Sequence, residues 1–151
     1  MEACFIGHRT IEKSDDLSSI LKKTIIALVN KGVTTFLFGS KSQFDSLSWE
    51  IVTQLKLEFP HIKRVYVRSN FQHIDKTYEN YLSKSYEDTY FPKRLENAGK
   101  SSYVVRNYEM IERSQYCIFY YNNSYKGHNS GTAIAFKYAI RRKKIIINLF
   151  I

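Results

Sequence analysis

Three apolar runs in this chain each end in a polar or glycine-containing loop that leads into a helix-forming stretch. Residues 4–6 run into Gly7-His8-Arg9, residues 33–38 into Gly39-Ser40, and residues 116–121 into the loop 122–132. Parallel strands need a crossover long enough to hold a helix, so strands that alternate with helices imply a mostly parallel sheet. Residues 62–67 and 145–149 read as two more strands. The expected architecture is α/β, with a central sheet of about five strands and helices on both faces.

The helices follow from apolar spacing and caps. Ser14 or Asp15 starts a helix whose face carries Leu17, Ile20, Leu21, Thr24 and Leu28 and which stops at Gly32. Leu47, Ile51 and Leu55 mark a helix over 44–59 that ends before Pro60. A short helix is expected over 75–82, followed by irregular chain to about residue 102. Helices at 103–113 and 133–142 complete the set.

In open sheets of this kind a ligand sits at the carboxyl ends of the strands, where strand order reverses. The loops 7–9, 39–45 and 122–132 all lie at such ends, which makes Gly39, Ser40, Phe44 and Asp45 candidate contacts beside the first and last loops. A strand–loop–helix junction presents free backbone N–H groups and the positive end of a helix dipole, a suitable seat for phosphate. Ser130, Gly131 and Thr132 offer two hydroxyls and three amides there. They would also make an ordinary N-cap, but Gly127 and the preceding strand favour a phosphate cradle. Gly7 permits a sharp exit from its strand, and His8 and Arg9 supply donors for an anion or for a surface hydrogen bond.

Two carboxylates follow the second strand. Asp45 is either a helix cap or a ligand contact, and Glu50 either a solvated side chain or a catalytic group. Together they could hold a ribose or act as acid and base on a glycosidic bond. His61, His73 and His128 have no ligand-like spacing with the cysteines, so neither a metal nor another cofactor is expected.

At 151 residues the chain reads as one domain. Its hydrophobic fraction of 44% and aromatic fraction of 15% exclude disorder. Cys4 and Cys117 fall within apolar runs, as reduced thiols do in a core, and no run of 18 apolar residues exists. These features point to a cytoplasmic protein with no membrane partner. The net charge of +9 admits nucleic acid as a partner. However, its densest piece, Arg141-Arg142-Lys143-Lys144, ends a helix, where cations complement the dipole.

The series Arg106-Asn107-Tyr108-Glu109-Met110, Ser114-Gln115-Tyr116-Cys117-Ile118 and Ser130-Gly131-Thr132 resembles the Arg-x-x-x-Met, Ser-Asp-x-x-Ile and Gly-Gly-x-Gly-Thr motifs of the lonely-guy phosphoribohydrolases. With the opening Gly7-His8-Arg9 and the run Phe44-Asp45-Ser46-Leu47, nearly the whole chain resembles the SLOG superfamily, in particular its small bacterial and phage branch. That resemblance implies a Rossmann-like fold, a homo-oligomer (dimer or higher) and a nucleotide or nucleotide-derived ligand, sensed or sequestered in phage–host defence. It places Arg106 and Asn107 at the ligand and Gly131-Thr132 at the phosphate. The hydrolases carry Glu where this chain has Ala135, which favours binding over N-glycosidic hydrolysis. Their compact loop is replaced here by a longer one bearing Tyr125, Lys126 and His128. An aromatic side chain from residues 68–102 is expected to stack on the base. Single-stranded nucleic-acid binding is the remaining alternative.

Overall fold

The computed structural model describes residues 1–124 and 130–150. Six strands form one sheet, β1 (Glu2–Gly7), β2 (Thr35–Phe38), β3 (Lys63–Val67), β4 (Asp88–Tyr90), β5 (Tyr116–Tyr120) and β6 (Ile145–Asn148). Every pairing is parallel and the order is β4-β3-β2-β1-β5-β6. The fold is α/β and Rossmann-like, with one strand more than the five expected. The extra strand, β4, has three residues, too few to show an alternation in sequence. It is held by Arg64, whose guanidinium and backbone N–H both donate to the Glu87 carboxylate.

Helices α1 (Asp15–Asn30), α2 (Gln43–Leu55), α3 (Lys76–Ser83), α4 (Ser102–Arg113) and α5 (Gly131–Arg141) connect the strands. Four of them start at side-chain caps: Ser14, Ser42, Asp75 and Ser130 accept from the backbone N–H three residues on. Helix α1 stops at Gly32, whose φ of +105° is one a side chain would strain. Helix α2 ends four residues before the expected limit. The chain turns at Lys56, and the Phe59 N–H returns to the Leu55 carbonyl at 2.8 Å. Two short 3-10 turns, Lys93–Leu95 and Gly99–Ser101, lead into α4.

The strands divide their side chains between two cores with period two. Ala3, Phe5, Phe36, Phe38 and Ile118 pack with α1 and α2, whereas Cys4, Ile6, Leu37, Cys117 and Phe119 pack with Met110 and Ile111 of α4 and Ala135 and Ala139 of α5. Cys4 and Cys117 are register partners on β1 and β5, both buried as thiols, and burial pushes the Cys4 thiol well up. No helix among the described residues is long and apolar enough to cross a membrane.

The basic run after α5 is largely committed within the chain. Arg142 pairs with Glu112 at 2.6 Å, Lys144 donates to the Glu112 carbonyl, and Arg141 lies over the Tyr138 ring. These contacts tie the end of α5 to α4 and place the cations at the carboxyl ends of both helices.

Candidate functional site

Strand order reverses between β1 and β5, and a cleft of ≈ 1660 Å³ opens there above the carboxyl ends of the strands. It crosses the edge of the sheet. On the α4–α5 side its wall is formed by Arg106, Asn107 and the start of α5; on the α1 side it reaches Glu12, Asp16 and Ile20. Gly7, His8, Arg9, Gly39 and Ser40 line the middle. Three separate loops therefore meet in one groove.

Ser130 accepts from the Ala133 N–H at 3.1 Å, which fixes the first turn of α5. By helix geometry the Gly131 and Thr132 N–H groups then point out of the helix start, toward the cleft that both residues line. A Cβ built on Gly131 meets nothing within 4 Å, so no described neighbour requires glycine there. Tyr125, Lys126, Gly127 and His128 lie outside the described residues.

The first and second loops are joined. The Gln43 N–H donates to the Arg9 carbonyl at 2.8 Å, and the Gln43 side-chain carbonyl accepts from the Ile11 N–H at 3.0 Å. Phe44 lies beneath this junction, fully buried. A Cβ on Gly7 would come within 2.5 Å of its ring, so Gly7 is needed for close packing. Phe44 is accordingly placed under the cleft wall and not on it. His8 spans the two halves: its Nε2 accepts the Asn122 N–H at 2.8 Å, and its own N–H donates to the Tyr120 carbonyl. An accepting Nε2 requires neutral imidazole. Burial lowers the His8 pKa, in the same direction. Arg9 is exposed on the rim.

Arg106 is only 4% exposed, and its Nη1 donates to the Gly39 carbonyl at 2.6 Å and to the Ser69 hydroxyl at 3.2 Å. Arg106 and Met110 are one helical turn apart and both press on Gly39, where a Cβ would lie 2.6 Å from the Met110 sulfur and 2.8 Å from Arg106 Nε. The Arg-x-x-x-Met spacing thus has a packing reason. Burial depresses the Arg106 pKa, although not enough to matter for a guanidinium near neutral pH.

Asp45 sits behind the same loop, 3% exposed. Its Oδ2 accepts the N–H groups of Gly39 and Ser40, while Ser42, not Asp45, caps α2. Asp45 Oδ1 and Arg106 Nε are both buried with no hydrogen-bond partner among the described residues. Burial raises the Asp45 carboxyl to about 7, against the pull of the Gly39 amide and Arg106. Asp45 holds a loop and does not line the cleft. Glu50 is exposed on α2 and away from the cleft lining. Five residues on a helix turn through roughly 140° beyond a full circle, so Asp45 and Glu50 cannot face one substrate together.

Among the described residues the aromatic lining comes from Phe5, Tyr66, Tyr103, Tyr120 and Phe150, and none of it from residues 68–102. Tyr78 and Tyr81 stack on each other on α3, and Tyr86 stacks on Tyr66. Ser69, Tyr66 and Phe150 were not expected in the lining, nor Gln43 as the bridge between two of its loops. Their one sequence signal is position, since Tyr66, Ser69 and Phe150 lie at or just after the ends of β3 and β6.

No curated protein matches the chain. The model of the YspA SLOG family matches residues 8–149, from the His8 of the first loop to the Leu149 that follows the last strand. By that match, and with the loop order and sheet just described, the chain belongs to the YspA SLOG family.

Proposed function

We propose that this protein binds a nucleotide or nucleotide-derived signalling molecule in the cleft, with its phosphate at the start of α5. SLOG membership suggests a nucleotide-related ligand. The observation that carries the reading is the convergence of the α5 amides, the Arg106 guanidinium and the first loop on the crevice between β1 and β5. Binding without turnover is favoured by Ala135, fully buried where the hydrolases have Glu, by Asp45 behind the loop, and by Glu50 outside the cleft. The protein then acts as a cytoplasmic sensor or sequestering protein, and phage–host conflict is the setting its family resemblance suggests.

Mass spectrometry of small molecules released by heat from the purified protein tests this. The expected outcome is a phosphorylated nucleoside derivative near one equivalent, absent from Gly131→Asp, which sets a carboxylate at the phosphate seat and whose Cβ meets no described atom within 4 Å. If no phosphorylated molecule is released and nucleoside mono- and diphosphates fail to raise the melting temperature, the reading is lost. Release of free base and ribose phosphate during incubation with nucleoside monophosphates would instead establish an enzyme.

A further inference from the structure

Periodicity assigns Ile20 to the buried stripe of α1, yet it is 36% exposed and lines the cleft. The rings of Tyr120 and Phe150, which meet edge to face at 5.4 Å, and the buried side chains of Leu17 and Leu149 line the same cleft. Leu17, Leu149 and Tyr120 belong to the core on the α1 side of the sheet, which makes this the apolar slot of the lining. Glu12 and Asp16, both exposed, stand on this same stretch of the cleft lining. The opposite end has the reverse character: Arg106 bonds Ser69, and its guanidinium lies 5.4 Å from the Tyr103 ring centre, so that ring face already has a cation. Tyr66 is stacked on Tyr86.

Resting on the proposed nucleotide site, we infer that the slot of Ile20, Tyr120 and Phe150 receives the base of the ligand, so that the ligand crosses the sheet edge from α5 to α1. The apolar slot sets this direction, since Arg9 and Lys41 line the cleft as well as Glu12 and Asp16. The two carboxylates accept hydrogen bonds from amino or hydroxyl donors on the ring or its sugar. The cation and helix start hold the phosphate at the other end. An isoleucine turned to the cleft gains from a planar apolar partner what it lacks in the core.

Two probe classes share a phosphoribosyl end and differ in the ring: the four common nucleoside 5′-monophosphates, and ribose 5-phosphate. Calorimetry on the full chain should show the preferred nucleotide binding more tightly than ribose 5-phosphate. Ile20→Asp should weaken that nucleotide by roughly tenfold or more while leaving ribose 5-phosphate unchanged. Photolabelling with 8-azidoadenosine 5′-monophosphate, competed by AMP, should mark peptides carrying Leu17 to Ile20 or Phe150. Label on the Tyr66 or Tyr103 peptides, or equal nucleotide affinity in Ile20→Asp and the parent, overturns the placement and leaves the phosphate seat standing. Binding of neither probe class, together with no phosphorylated molecule released from the parent protein, overturns both.

Discussion

Two residues carry the clearest consequences of close packing and burial. Gly7 leaves no space for a methyl group, because the Phe44 ring would lie 2.5 Å away. Gly7→Ala should destabilise the protein by about 1–3 kcal/mol in urea denaturation. In a Phe44→Ala background the same change should cost less, because the offending ring is gone. Asp45 gives a signature in pH. Its folded carboxyl titrates at about 7 against an ordinary 3.8, so the folded chain holds this proton more tightly than the unfolded one. Stability from this group is complete below pH 3.8 and is lost as pH rises through 7. Asp45→Asn keeps an acceptor for the Gly39 and Ser40 amides and removes the buried charge. It should therefore gain stability relative to the parent as pH rises from 3.8 to about 7, measured as the difference of two denaturation series. His8 slopes the other way, losing stability as pH falls below its ordinary 6.5, but equally in both proteins.

At the scale of elements, β4 has only three residues, and Glu87 just before it carries two ion pairs. The Glu87 carboxylate takes Arg64 at 2.6 Å and Lys56 at 3.3 Å, and Arg64 holds it below the usual carboxylate range despite partial burial. Glu87→Ala leaves the buried Arg64 uncompensated and should cost about 1–3 kcal/mol. Hydrogen exchange at Asp88 to Tyr90 should quicken while β1 and β2 stay protected. If exchange is unchanged, β4 has another anchor. Short length and a long-range pair are why β4 was not legible in sequence, whereas α1, α3 and α5 were: Ser14, Asp75 and Ser130 are local signals. Ile20 shows the limit of periodicity, which marks a stripe on a helix but not whether its edge meets a core or a cleft. The loops 7–9 and 39–40 and the start of α5 were readable as strand ends. The Gln43 bridge and the Ser69 contact to Arg106 were not, because each joins segments more than 30 residues apart.

For the whole molecule, the parallel sheet puts the cleft-lining loops at one end and leaves the other to turns. A nucleoside phosphate that saturates the cleft should slow hydrogen exchange together in residues 7–12, 39–42 and 130–133. The turns at the opposite end, such as 30–34 and 56–62, should keep their rates. Ligand at 100 times its dissociation constant adds about 2.7 kcal/mol to stability. Protection spread evenly over both ends would contradict a site at the carboxyl edge.

Strand β1 has β2 on one side, available within its first forty residues of chain, and β5 on the other, which comes only from residue 116. During synthesis the N-terminal half can thus assemble its own layer, but its exposed backbone edge waits for the second half to emerge from the ribosome. His8 has no Asn122 to receive until then. Binding of the proposed ligand consequently needs both halves of the sheet, and a ribosome-stalled fragment ending before residue 116 should not bind it.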